Sequence, residues 1–325
     1  MIKNQWYVVL ESKEVRPNRP LGVTRLNEKL VFWRDELGKV HCIKDKCVHR
    51  GVSLCTGKVV NGHIACPFHM FEWDGSGKCV NIPANGKHAV ISKAFTAKSY
   101  AVKEAYGYIW MFYGEAADAT DRLPYFEELS TFGHHTVTQH WKAHYSRVIE
   151  NQLDVVHVPF VHKSTIGRGN KTLVNGPVTT VDEETLTVKV FNTLDEGQPP
   201  KKESELKNIE KKSQLMFRFP AIWQNYISEK IRVTIAFVPI DEENTLLYLR
   251  FNQNIIKSKV LSYLFCRLGS IMNDKIAKED QVVVETQLPK VSSNKLGEKL
   301  IPGDGPIIKY RHIREKLKSD EPKSI

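Results

Sequence analysis

The sequence predicts an α+β protein with an N-terminal antiparallel β domain and a second domain that combines an antiparallel sheet with helices. Three observations lead there. Residues 1–115 alternate apolar and polar side chains in short runs separated by turn residues, the period-two signature of strands. Four more stretches, 178–192, 214–220, 230–239 and 245–253, carry β patterning. Residues 150–162 and 273–287 instead place polar and acidic side chains at helical spacing. At 325 residues the chain has room for two domains.

Leu30-Val31-Phe32-Trp33 and Val40-His41-Cys42-Ile43 read as strands joined by the turn Asp35-Glu36-Leu37-Gly38. The pattern recurs at Tyr106–Phe112 and closes the first domain at about residue 115. Asp74-Gly75-Ser76-Gly77-Lys78 faintly resembles a phosphate loop, but it lacks the first glycine and the following hydroxyl residue and reads as a turn. A linker is expected over 116–135, beginning with Ala116-Ala117-Asp118-Ala119-Thr120-Asp121. The second domain, 136–325, is expected to open with a strand that runs into a helix. Within it Asp195–Glu203 is a charged, proline-bearing loop, either a plain solvated insertion or a cover for a site entrance.

Two short clusters in the first domain carry chemistry: Cys47-Val48-His49 and Cys66-Pro67-Phe68-His69, with the sixteen residues 50–65 between them. Two thiolates on one iron and two neutral imidazoles on the other suit an asymmetric iron–sulfur cluster, and the imidazoles raise its potential above that of an all-cysteine cluster. A bare pair of Cys/His motifs is equally compatible with structural zinc. The residues downstream favour the iron–sulfur reading.

About a hundred residues later, Asn151, Asp154 and His157 are spaced by three and share one face of a helix. Pro159 is expected to disrupt that helix, so that His162 reaches the same point from the turn beyond. Two histidines delivered this way need one carboxylate to complete a facial triad for ferrous iron, which leaves positions open for dioxygen and substrate. The acidic segment at 273–287 offers candidates, some of which are expected simply to face solvent.

Cys47-Val48-His49-Arg50-Gly51, Cys66-Pro67-Phe68-His69 and the Asp154–His157–His162 segment together resemble the Rieske non-haem iron oxygenases, and in particular their catalytic α subunit. The likeness runs from Asn4-Gln5-Trp6-Tyr7 to Tyr310-Arg311. It implies a Rieske 2Fe-2S cluster on Cys47, His49, Cys66 and His69, and one mononuclear Fe(II) on His157, His162 and a carboxylate. In the family that carboxylate is the Asp of a Glu-Asp pair ahead of an apolar run, which maps onto Asp280, with Glu279 and Asp274 as alternatives. Asp154 would be a bridge between His157 and the His69 of a second copy, since an imidazole ligand usually donates its free N–H to a carboxylate. Asn151 would orient water near the iron.

The implied activity is that of the terminal oxygenase of a multicomponent system. It would use O2 and electrons drawn ultimately from NAD(P)H through a separate flavin reductase, an acidic ferredoxin, or both. The short chain resembles the homotrimeric monooxygenase and demethylase branch, including enzymes that attack vanillate-like methyl ethers. The expected substrate is a small aromatic or alicyclic molecule that is hydroxylated or oxidatively demethylated. Ring cis-dihydroxylation is the alternative within enzymes. A Rieske electron carrier without oxygenase activity and a zinc-stabilised binding module are the readings from other classes.

The chain departs from the family pattern at Met70 and Phe71, where Gly and Trp are usual, so an altered cluster loop or docking surface is expected. Val52 and Phe68 replace the disulfide cysteines of respiratory Rieske proteins, which points to the oxygenase and ferredoxin type. Cys42, Cys55, Cys79 and Cys266 read as reduced thiols of a cytoplasmic protein. No signal peptide, membrane span or internal repeat is visible.

Composition is that of an ordinary globular protein, 41% hydrophobic and 26% charged. The net charge of +10 and pI near 9.2 come without a nucleic-acid recognition motif. Lys44, Lys46, Arg50, Lys58 and Lys78 lie around the cluster ligands in sequence and suggest a docking patch for an acidic electron donor. Phe217, Trp223, Tyr226 and Phe251 are candidates for either pocket wall or core.

Overall fold

Short strands with one apolar face need partners on both edges and cover on that face, and the first part of the chain meets this need with three small sheets. The computed structural model describes residues 1–183, 185–211 and 213–319, in two units, Met1–Leu123 and Pro124–Ile325. The first unit contains β1 (Gln5–Glu11), β2 (Leu21–Arg25), β3 (Glu28–Arg34), β4 (Val40–Lys44), β5 (Lys58–Val60), β6 (His63–Ala65), β7 (Glu72–Trp73), β8 (Cys79–Asn81), β9 (Val102–Ala105) and β10 (Tyr108–Tyr113). They pair as β1-β10-β9, β2-β3-β4 and β5-β6-β7-β8, with every pairing antiparallel. The stretch 74–78 is the expected turn: Asp74 Oδ1 accepts from the backbone N–H groups of Ser76 and Lys78.

Trp33, Ile43, Leu54, Ile64 and Trp73 form one apolar core, and Cys47 and Cys66 are buried in it. The two Cys/His loops therefore start in the core and finish outside it, with His49 exposed and His69 half-buried. That arrangement roots the sulfurs and leaves the imidazoles at the surface.

The second unit contains β11 (Gly133–Trp141), α1 (Tyr145–Leu153), α2 (Val158–Val161), β12 (Val178–Asp182), β13 (Thr185–Lys189), α3 (Glu203–Leu206), β14 (Gln214–Arg218), β15 (Ile222–Ser228), β16 (Ile231–Pro239), β17 (Thr245–Gln253), α4 (Lys259–Val284) and α5 (Gly305–Ser319). Its strands form one antiparallel sheet in the order β11-β17-β16-β15-β14-β13-β12. The stretch 178–192 resolves into two strands that turn at Glu183, whose φ is +46°. The strand β15 lies outside the four expected stretches, and α4 begins at Lys259 rather than at 273. Among the described residues no helix is long and apolar enough to cross a membrane.

Packing fixes where the chemistry falls. The helix α4 lies on β11 and β17, α1 contacts β16 and α4, and α5 contacts α1 and β13. An ionic cluster ties α1 to α5. Arg311 donates to both Glu150 oxygens at 2.7 and 3.0 Å, Arg147 donates to Glu150 at 3.0 Å, and Glu298 accepts from both arginines. Glu150, Arg147 and Arg311 are buried, so each charge depends on the others.

Candidate metal centres

The loops that carry the Cys/His pairs are the same turn used twice. In the first, Cys47 N–H donates to Val52 O and Gly51 N–H donates to Cys47 O. In the second, Cys66 N–H donates to Phe71 O and Met70 N–H to Cys66 O. Each loop puts its fifth residue in the left-handed region, with φ +76° at Gly51 and +58° at Met70. The methionine has thus not altered the loop path expected of glycine there; it adopts the conformation at a steric cost.

The loops bring all four sequence-predicted residues together. The His49 and His69 ring centroids are 4.8 Å apart, and the Cys47 and Cys66 sulfurs are close enough to interact. Burial pushes the Cys47 thiol up, while the backbone N–H groups of His49 and Arg50 work in the opposite direction. A buried thiol raised in this way becomes a thiolate only with a compensating positive centre. Phe71 stacks on His49 with a 4.8 Å centroid distance, where it packs against the ring. Lys44, Lys46, Arg50, Lys58 and Lys78 are all exposed.

In the second unit the expected single helix face does not form. The helix α1 stops at Leu153, and Asp154 is its extended C-cap, with ψ 126°. Asp154 Oδ1 accepts from the N–H groups of Val156 and His157 at 2.6 and 3.3 Å, and this turns the chain five residues before the proline. Pro159 then sits in the first turn of α2, where its missing N–H costs nothing, so it opens a helix instead of breaking one. His157 and His162 cap the two ends of that single turn.

This path aims both rings at one point, which α4 meets with Asp280. The His157 and His162 Nε2 atoms are 3.3 Å apart, and Asp280 Oδ1 is 3.3 and 3.0 Å from them. Three donors about 3 Å apart are what bond lengths near 2.1 Å at right angles require. Asp280 Oδ1 is buried and accepts no aligned hydrogen bond. Burial works against charge on His157, yet Asp154 and Asp280 push its pKa up to about 9. Burial likewise opposes the Asp280 carboxylate, but the two histidines bring it down to about 2. Of the far nitrogens, that of His162 is hydrogen-bonded and that of His157 is not. Glu279 Oε2 lies 2.7 Å from His162 Nδ1, and Asp154 Oδ2 is 3.6 Å from His157 Nδ1.

Residues 5–101 match the Rieske [2Fe-2S] domain, and residues 141–320 match the family described as vanillate O-demethylase oxygenase C-terminal domain. The chain belongs to the Rieske non-haem iron oxygenase family. It is 32% identical to the chloroplastic protein TIC 55 of Arabidopsis thaliana, over 50% of this chain and 30% of that one. It is 34% identical to the vanillate O-demethylase oxygenase subunit of a Pseudomonas species, over 55% of this chain and 49% of the other. These matches thus span half or less of the relatives' own length. A crystal structure of dicamba monooxygenase bound to 3,6-dichlorosalicylic acid shares the fold, with a TM-score of 0.79 and 22% identity over 100% of this chain and 99% of that one.

In this Rieske oxygenase chain the alternative carboxylates fall apart from Asp280. Glu279 faces the outer nitrogen of His162 and is fixed by Thr165 Oγ1 at 2.8 Å. Asp274 pairs with Lys278 at 2.6 Å and accepts from Gln139, away from the three donors. Asn151 stands beside a cavity of about 180 Å³, and its amide nitrogen is buried without a partner. The floor of that cavity is one face of four neighbouring strands, through Leu215, Trp223, Asn225, Val233 and Leu249, and its roof includes Asn273, Ile276 and Ala277 of α4.

Of the four aromatic candidates, Trp223 lines the cavity. Phe217 packs on Phe219 and Tyr310, Tyr226 covers Arg232, and Phe251 packs on Phe265. Residues 195–203 are not among those lining it. Two neighbours of the triad escaped the sequence reading. Gln152 reaches Asp280 Oδ2 at 3.4 Å, and Asn273 precedes Asp280 by two helical turns. The i, i+3, i+4, i+7 series Asn273, Ile276, Ala277, Asp280 was the available signal for the second.

Proposed function

We propose that this chain is the terminal oxygenase component of a multicomponent Rieske system. It would hydroxylate or oxidatively demethylate a small organic molecule using O2 and electrons from a separate reductase or ferredoxin. One observation carries the reading: His157, His162 and Asp280 present three donors 3.0–3.3 Å apart beside a cavity, in a chain that also has a Rieske domain. The unpartnered Asp280 oxygen and the two inward nitrogens fit a divalent ion, and the four Cys/His side chains fit the cluster. When bound, the cluster supplies electrons one at a time and the ferrous ion supplies the chemistry of dioxygen.

The protein's own groups set the geometry. Glu279 hydrogen-bonds the outer nitrogen of His162, which fixes that ring and keeps its Nε2 free to ligate, while Asp154 faces His157 Nδ1 from 3.6 Å, as a charge beside the ring. Asp280, held by Gln152, balances charge from the third corner. The apolar sheet face keeps water away from the substrate space.

Asp154 is partly exposed, which suits contact with the His69 of a second copy and a homotrimer built on that contact. The four cysteines outside the cluster motifs are unpaired and suit the reducing cytoplasm.

The test is substrate-triggered reoxidation. Chemically reduced, iron-loaded protein is mixed with air and a panel of methyl ethers, methylamines and aromatic or alicyclic compounds, while cluster absorbance is followed. A compound that speeds reoxidation only when iron is present supports the oxygenase, and released formaldehyde selects demethylation. Iron-independent reoxidation across the whole panel would leave an electron carrier.

A further inference from the structure

The first half of α4 is built the wrong way round for a helix that meets only water. A surface helix normally turns its large apolar side chains to the core and its polar ones outward. Here the buried side carries Ser262, Cys266 and Ser270. The opposite side carries Val260, Leu261, Leu264, Leu268, Ile271 and Met272, from 48% exposed at Leu264 to 70% at Val260. By contrast, α5 exposes His312, Lys316 and Lys318.

Three contacts hold α4 in this orientation. Ser262 Oγ accepts from Gln253 Nε2 at 2.7 Å, and Ser270 Oγ donates to His135 O at 3.0 Å. A Cβ at Gly269 would meet the Phe251 ring at 2.7 Å, so a larger residue has no room on that side. Turning the leucines inward would break all three. At about 100° per residue the six apolar positions fall within about 120° of arc and run about 18 Å along the helix. An apolar patch of that extent marks a contact with a protein or a membrane.

The charges around the stripe choose between these. From Asn254 to Asn273 the chain has Lys257, Lys259 and Arg267, all exposed, and no aspartate or glutamate. A second copy joined through the same face would set these cations against themselves, and its other surfaces belong to a chain of net charge +10. An anionic lipid surface meets both demands. Its acyl chains take the apolar stripe and its phosphates take the cations. Tyr263, 51% exposed at the edge of the stripe, suits the boundary between the two.

We propose that the outer face of α4 from Val260 to Met272 is a docking surface for a bilayer rich in anionic phospholipid, on which the protein lies without crossing it.

Sedimentation of the cluster- and iron-loaded full chain with vesicles tests this. Phosphatidylcholine vesicles with about a third phosphatidylglycerol are expected to bind it at least about tenfold more tightly than pure phosphatidylcholine, and less tightly as salt is raised. Leu264→Glu combined with Leu268→Glu is expected to weaken binding to the anionic vesicles at least about tenfold. Lys257→Glu combined with Lys259→Glu is expected to weaken it as much and to flatten its salt dependence. All four positions are exposed, so retained iron in each variant shows that α4 is still seated.

Equal binding to both kinds of vesicle, binding to neither, or binding untouched by either pair of substitutions overturns the proposal. So does an oligomer that the Leu264 and Leu268 substitutions dissociate without lipid, seen by analytical ultracentrifugation, which would give this face to a second copy.

Discussion

Glu279 Oε2 lies 2.7 Å from His162 Nδ1, on the side of the ring away from Asp280. The neighbouring carboxylates 279 and 280 therefore address opposite nitrogens of one histidine. Asp280 is the proposed ligand and Glu279 fixes the tautomer. Glu279→Ala is expected to weaken iron retention about 10- to 100-fold, and Asp280→Ala to abolish it. Iron analysis after dialysis, with the cluster absorbance as internal reference, checks this. Equal iron loss in both variants would make Glu279 a ligand rather than a support.

Met70 stores a small strain. An L-residue in the left-handed region costs about 1–2 kcal/mol, offset in part by the extra freedom glycine has when unfolded. Met70→Gly is expected to raise the stability of the first unit by up to about 1 kcal/mol, and Gly51→Ala, the same position in the twin loop, to lower it by about 1 kcal/mol. Chemical denaturation followed through the cluster's visible band reads both.

The Glu150 cluster predicts a large and asymmetric effect. Arg311→Leu removes the bidentate partner of a buried carboxylate and should cost about 3 kcal/mol. An exposed pair such as Lys278–Asp274 should cost well under about 1 kcal/mol when broken. Urea midpoints of Arg311→Leu and Lys278→Ala decide between them.

His144 gives the pH dependence. Burial, followed by the charge of Arg314, lowers its pKa from 6.5 to about 3. The unfolded chain therefore takes up a proton that the folded chain refuses between those values. Stability is complete above about pH 6.5 and is lost as the pH falls toward 3, by about 2 kcal/mol between pH 7 and 5. His144→Asn keeps an acceptor for the start of α1 and removes the titration, so its stability should change less across that interval. Identical pH slopes for the two proteins would exclude His144 as the source.

How much was legible follows from how local each signal is. Cys47, His49, Cys66 and His69, like His157 and His162, lie in short motifs, so the resemblance could pick them out as candidates, and the structure brings each set together. The halt of α1 at Leu153 was not legible in this way. It depends on Asp154 Oδ1 bonding two backbone N–H groups, whereas Asn151, Asp154 and His157 are spaced as well for a continuous helix. The division of labour between Glu279 and Asp280 was hidden for a different reason, since adjacent residues on a helix point about 100° apart and only the position of His162 says which faces inward. Strand β15 escaped because Trp223, Gln224 and Asn225 mix aromatic and amide side chains where alternation was sought. Without β15 the register that brings Trp223 beside Ile235 had no visible basis.

Lys46 is exposed one residue before a buried cluster sulfur. With an acidic ferredoxin as donor, Lys46→Glu should slow cluster reduction several-fold at low salt and make the rate less sensitive to added salt. Stopped-flow reduction at two ionic strengths reads it, and rates indifferent to both changes would move the donor's landing place elsewhere.

Because side chains along a strand alternate between faces, a change at Leu215, Asn225, Val233 or Leu249 reshapes the substrate space while the chain path stays as it is. None of these four belongs to the segments that carry His157, His162 and Asp280. The sheet side of the cavity can thus change apart from the segments that carry the three donors, whereas its roof on α4 shares a helix with Asp280. A lineage built on this plan can drift from one molecule to another through a handful of wall substitutions, without ever passing through an ancestor that has lost its iron.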